Sequence, residues 1–437
     1  MVIDDYIEFL SNCKTERECV DFAVKTAIEH GFELYDNRKA YGPGDKVYFI
    51  SRDKNFAAFV FGKNSPLVKG VNLLGAHIDS PRLDIKCNPL YEKDGIAYFD
   101  TQYYGGIKKY QWTTIPLAIH GVVFTKDGQK VNINIGENPI DPVFCISDLL
   151  PHLDRSNMSK KNADDFIPGE KLDLIAGTEE DANAAENDKD KVKLGIMNFL
   201  KKLYKIEEAD FYSAELEVVP AGRARYCALD SSLIAGYGQD DRVCAYTSLM
   251  AIMELTETPN TTSGVILVDK EEIGSTCASG AKSRWFEDVL RCVMRPSDEI
   301  SFATGLYNSN MLSSDVTSAF DPMYADAFDK KSSSRLGKGM MISKYNGGRG
   351  KSGGADASPE YIAKIRCVLD KETYQFDTMG KVDQGGGGTI ASIISALNIN
   401  VVDAGVPLLN MHSPMELVHK NDVISAFNCY TTFIKNM

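Results

Sequence analysis

The segment Val71-Asn72-Leu73-Leu74-Gly75-Ala76 sets the narrowest limit on the fold. Apart from Asn72 it lacks polar alternation, so as a strand it has to be covered on both faces, as in the centre of an open α/β sheet. The run leads directly into His77-Ile78-Asp79. That order predicts a histidine at the carboxyl edge of a buried parallel strand, where open sheets of this kind form their sites.

After Ala235 the chain keeps alternating helix-like and strand-like segments, among them Asp241 to Leu255, Gly264 to Val268, a strand-like Ile300 to Thr304, Ser358 to Val368 and Thr389 to Leu397. Such alternation predicts an α/β fold in which a central mixed sheet is flanked by helices. The first 30 residues read as two helices, the second opened by a capping box at Thr15-Glu16-Arg17-Glu18 and stopped at Gly31. From about Asn88 to Gly222 the texture changes to hairpin-like segments such as Ile96 to Tyr103 and Ile115 to Phe124. At 437 residues the chain exceeds one ordinary domain of roughly 100–200 residues. The expected division is therefore an α/β domain made of 1–87 and 223–437, interrupted by a mainly β insert at 88–222. Within the insert, Thr178 to Lys191 is acidic and free of large apolar residues, and reads as a surface loop.

Charge narrows the function. With 48 Lys and Arg against 61 Asp and Glu, net −13, bulk electrostatics disfavour nucleic acid or an anionic membrane as partners. No apolar run approaches the ~20 residues of a membrane span, and the amino terminus carries acids where a signal peptide carries bases. The ten cysteines include no Cys-x-x-Cys pair, so a cytoplasmic protein with reduced thiols is expected. Gly348-x-Gly350-x-x-Gly353 has the spacing of a dinucleotide fingerprint, but the next predicted helix starts only near Ser358. A glycine-rich loop is the better reading.

Chemistry gathers at five places: His77-Ile78-Asp79, Asp240-Asp241, Glu271-Glu272 after the apolar Val265 to Val268, Asp315 in Ser313-Ser314-Asp315, and His412 in Asn410-Met411-His412. Helix capping explains one of Asp240 and Asp241 but not both. Adjacent carboxylates such as Glu271 and Glu272 repel in a cleft unless a cation or a proton compensates them. Imidazoles and carboxylates without a thiolate form the ligand set of a hydrolytic two-metal site for zinc or cobalt.

The ordered motifs AHIDSPRLD, GQDDRV, DKEEIGS, SSDVTSAFDP and MHSPMELV resemble those of the aspartyl aminopeptidases, dinuclear zinc peptidases that assemble as tetrahedral dodecamers. The resemblance spans nearly the whole chain, including GGGGTIA and IPLAIHG. It implies two zinc ions per subunit, with cobalt or manganese as alternatives: His77 and Asp315 on one, Glu272 and His412 on the other, and Asp240 bridging. Glu271 is implied as general base, activating a zinc-bridged hydroxide, and Asp79 as the partner of His77. The family pattern at the bridge is Asp-Asn, so Asp241 keeps the choice between the two aspartates open. Lys344, with Arg349 as runner-up, is implied as the cation that selects an acidic first residue. His120 matches a histidine that reaches a neighbouring subunit's site and stabilises the oxyanion. The implied activity is removal of acidic amino-terminal residues from peptides with a free amino terminus. A same-fold enzyme of broader specificity, an amidohydrolase of N-acylated amino acids and a silent assembly or cargo-binding protein are the rivals.

Overall fold

The computed structural model describes residues 3–158, 160–378 and 380–437. Two compact units partition the chain: 1–80 with 224–411 and 415–437, and 81–223 with 412–414. The first crossing between them therefore falls at Ser80/Pro81, earlier than the expected residue 87. The reason is that Arg82–Lys93 is one continuous strand of the second unit's sheet.

The first unit is built on a nine-stranded mixed sheet. Its strands are β1 (Glu33–Leu34), β2 (Lys46–Ser51), β3 (Asn55–Val60), β4 (Val71–His77), β5 (Thr262–Val268), β6 (Asn310–Ser313), β7 (Met340–Ser343), β8 (Tyr374–Asp377) and β9 (Asn400–Gly405). They lie in the order β1-β2-β3-β5-β4-β6-β9-β7-β8. β5, β4, β6 and β9 run parallel at the centre. Alternate residues of β4 face opposite cores: Leu74 and Ala76 pack on one side, Val71 and Leu73 on the other. Burial on both faces is what the unalternating Val71–Ala76 run requires, and each fully buried leucine contributes about 1.5–3 kcal/mol.

One face is covered by α1 (Ile3–Asn12), α2 (Glu16–Glu29), α3 (Gln239–Met253), α6 (Pro359–Val368) and α8 (Lys420–Asn436); the other by α4 (Trp285–Met294), α5 (Glu299–Tyr307) and α7 (Ile390–Ser395). The capping box of α2 forms as read, with Thr15 accepting from the Glu18 N–H and the Glu18 side chain closing back. The strand-like reading of Ile300 to Thr304 is wrong, because these residues form α5. The Asp298 carboxylate caps the Ser301 N–H at 2.8 Å. Phe302 and Leu306, four residues apart, are buried while Ile300 is 81% exposed, so the true period is helical. The strand leading to Asp315 is instead β6. A five-stranded sheet completes this unit, with Leu233–Gly236, Glu416–His419 and Pro407–Leu409 at its centre.

The second unit carries a six-stranded antiparallel sheet, ordered Lys130–Ile135, Leu117–Phe124, Ala214–Pro220, Arg82–Lys93, Ile96–Tyr104, Leu174–Gly177. Residues 178–190 hold no helix or strand, and the helix Lys191–Tyr204 follows them. The glycine-rich 347–354 segment is a loop, as expected.

Candidate metal centre

In the first unit, β4, β5 and β6 all deliver polar residues at their carboxyl ends. β4 ends in His77, paired in register with Val268 at the end of β5. Beyond Val268 the chain makes a short turn containing Glu271 and Glu272. β6 ends at Ser313, two residues before Asp315. Asp240 and Asp241 open α3, and the peptide bond between them is cis. Gly238 lies just before them at φ +73°, and a Cβ there would lie 1.8 Å from the buried Arg242 guanidinium, so a side chain would be strained and would displace Arg242.

His77 is buried and fixed from both ring nitrogens. Nδ1–H donates to the Asp79 backbone carbonyl at 3.0 Å, which leaves Nε2 facing Asp240 Oδ1 at 3.2 Å as the nitrogen that could ligate. The Asp79 carboxylate flanks the same ring at 3.4 Å. Its stronger contacts are the backbone N–H groups of Glu271 at 3.1 Å and Glu272 at 3.2 Å. β4 ends at His77, and Asp79, two residues on, turns to hold the acidic turn as well as the imidazole.

Potential ligand atoms of His77, Asp241 and Asp315 lie within 4.8 Å of one another, and so do those of His77, Glu271 and Glu272. Burial pushes the Asp241 carboxyl well up, reinforced by Asp315. Burial likewise raises Asp315, with His77 opposing and Glu271 and Asp240 adding to the rise. Burial opposes protonation of His77, but its bonds to Asp240 and Asp79 outweigh this and raise its pKa well above the ordinary value. Among the described residues no nitrogen or oxygen donor reaches either buried oxygen of Asp241, and the Cys244 thiol is the polar group beside them. Crowded, desolvated carboxylates of this kind are stable as anions only beside a compensating cation, so the donor set fits divalent metal.

Sequence reasoning missed two residues that hold Asp240. The Glu416 carboxylate accepts the Asp240 N–H at 3.0 Å, and the Ser80 hydroxyl donates to the Asp240 carbonyl at 2.6 Å. Glu416 stands inside the MHSPMELV motif, which was the available signal. Gly405 in β9 supports Asp315 from behind: a Cβ there would lie 2.0 Å from the Asp315 carbonyl oxygen. Gly405→Ala is expected to shift Asp315 and lower kcat about a hundredfold, the order of effect of a 1 Å misplacement. Steady-state kinetics alongside the melting temperature would show this, and unchanged kcat would remove the supporting role.

The remaining residues named from sequence are His412, His120, Lys344 and Arg349. His412 falls in the second unit, at φ +63°, its Nδ1–H donating to the Gly106 carbonyl at 2.9 Å. His120 is buried in the second unit's sheet, with Nε2 3.1 Å from Glu137. The Lys344 ammonium is paired with Asp356 at 2.6 Å, and Lys351 takes the other oxygen of that carboxylate at 2.7 Å. Arg349 lines a cavity of about 510 Å³ together with Lys330, Lys351 and Lys381.

Buried carboxylates and an imidazole, gathered at the carboxyl edge of parallel strands, define a metallohydrolase. The sequence pattern of the aminopeptidase I zinc metalloproteases (M18) matches residues 9–434. The chain belongs to the M18 family of zinc metalloaminopeptidases. It is 50% identical over 442 aligned positions to the probable M18 family aminopeptidase 1 of Clostridium acetobutylicum, spanning 99% of this chain and 94% of that one. Among solved structures, the M18 aminopeptidase of Thermotoga maritima superposes with a TM-score of 0.94 at 42% identity, covering 100% of this chain and 96% of that one. Aminopeptidase I of Clostridium acetobutylicum gives 0.92 at 48%, covering 99% and 95%. The S. cerevisiae mApe1 dodecamer shares the fold at 21% identity, with a TM-score of 0.78 over 99% of this chain and 96% of that one. Among the described residues no helix is long and apolar enough to cross a membrane.

Proposed function

We propose that this aminopeptidase removes acidic amino-terminal residues using two zinc ions and Glu271 as general base. The carrying observation is the Glu271–Glu272 turn, pinned to Asp79 by two backbone N–H groups with both side chains turned toward His77. His77 and Asp315 would hold one ion, Glu272 and His412 the other, with Asp240 shared between them. Bound there, the ions supply Lewis acidity toward the scissile carbonyl and the attacking water. Glu271, not counted among the ligands, takes the proton of that water and returns it to the leaving amine. Asp79 keeps His77 in the tautomer that offers Nε2. The Gly106 carbonyl holds His412 in the matching tautomer. The reading also includes His120 acting toward a neighbouring copy, in a homo-oligomer for which the dodecameric yeast relative is the precedent, and a cytoplasmic setting for ten cysteines that stand as thiols.

A broader amino-terminal preference is the second reading, favoured by the engagement of the Lys344 ammonium with Asp356, which it shares with Lys351. On the acid-selective reading, the cation that meets the substrate side chain is then better sought at Arg349. Hydrolysis of aspartyl, glutamyl and leucyl aminoacyl dyes separates the readings. Acid preference is expected to collapse in Arg349→Gln while leucyl turnover persists; equal wild-type rates on all three dyes would favour broad specificity. Cleavage of substrates with a blocked α-amino group would instead point to an amidohydrolase.

A further inference from the structure

The acidic turn starts from Lys270, whose φ of +70° and ψ of +17° lie in the left-handed region that lysine seldom enters. Directly beneath it four charged side chains meet. Lys270 Nζ is 3.2 Å from Asp269 Oδ2 and 3.8 Å from Glu16 Oε1. Lys54 Nζ is 3.2 Å from the same Glu16 oxygen and 3.9 Å from the same Asp269 oxygen. Both carboxylates are fully buried, and the lysine side chains are only 9% and 15% exposed. Ser279 donates to Asp269 Oδ2 at 2.7 Å, and the Lys270 N–H donates to Asp269 Oδ1 at 2.8 Å.

Two buried anions here face two cations, and removing one partner from such a cluster leaves an uncompensated buried charge. None of its four members is assigned to metal or to proton transfer. The cluster joins the first residue of α2, the residue before β3 and the residue after β5, so its members come from three separate parts of the unit. The cluster leads toward the site through the Lys270 backbone. From there the Lys270 carbonyl accepts the Ser275 N–H at 2.7 Å, and the next two N–H groups point at Asp79.

We propose that Lys270 is a positioning residue for Glu271: its ammonium, held by Asp269 and Glu16, keeps the backbone left-handed and thereby aims the Glu271 carboxylate. The inference rests on Glu271 being the base. If Lys270 returned to negative φ, the Glu271 N–H would swing away from Asp79 and its side chain would leave the site.

A double-mutant cycle on the intact, zinc-loaded enzyme tests this. Lys270→Met is expected to lower kcat about tenfold to a hundredfold with KM within about twofold. Lys270→Asn, a residue that enters the left-handed region more readily, is expected to recover most of that loss. In the Glu271→Gln background, Lys270→Met is expected to cost nothing further. A full additional loss in that background, wild-type kcat in Lys270→Met, or a folded Lys270→Asn as slow as Lys270→Met would each overturn the positioning role. Wild-type turnover in Glu271→Gln alone would overturn the general-base reading, and with it this one.

Discussion

Glu271→Gln is expected to lower kcat by about two to four orders of magnitude, the span attributed to a positioned acid–base group, while zinc content and melting temperature stay at wild-type values. The substitution preserves shape and keeps the backbone N–H that binds Asp79. It removes only the capacity to take and return a proton. Because Glu272 is the residue assigned to metal, the paired carboxylates separate by readout: loss of turnover at full zinc occupancy for position 271, loss of zinc for position 272. Turnover within tenfold of wild type would place the base elsewhere, and loss of zinc in Glu271→Gln would make that residue a ligand.

The second large effect concerns the two aspartates at the start of α3. Asp240→Asn is expected to weaken zinc binding by more than a hundredfold, since even residues one step removed from a metal cost ten- to a hundredfold. Asp240 Oδ1 stands 3.2 Å from His77 Nε2, and its backbone is fixed by Glu416 and Ser80, as suits a shared ligand. Asp241→Asn is expected to retain zinc within about threefold. Asp241 is the more deeply buried of the two, and its neutral isostere removes a desolvated charge with no nitrogen or oxygen donor on it among the described residues. Metal analysis after dialysis would decide, and the reverse order would exchange the two roles.

Much of the first unit is legible in the chain because its signals are local. The unbroken apolar character of Val71–Ala76 requires cover on both faces, and β4 receives it. The Thr15–Glu18 box opens α2 where four residues say it should. The misread segment, Ile300 to Thr304, shows the limit: in five residues, periods of two and of 3.6 overlap. The distinguishing contacts of Phe302 and Leu306 come from distant packing. Met340–Ser343 and Tyr374–Asp377 are too short to show any period, and they form strands because the sheet edge beside β9 accepts them.

The candidate site divides in the same way. Ligand chemistry is a property of residue type, so His77, Asp240, Glu271, Glu272, Asp315 and His412 could be nominated from their motifs and from the resemblance those motifs carry. Where each carboxylate points is a property of long-range neighbours. Asp79 reaches nearly two hundred residues along the chain to hold the Glu271–Glu272 turn. Glu416 reaches back to Asp240, and Glu16 lies beneath Lys270. Such partners carry no spacing signature, because hydrogen bonds and ion pairs are formed by proximity in space. The list of reactive groups could be read along the chain, while their aim, their burial and the pairing of Lys344 with Asp356 follow from how the fold brings separate segments together.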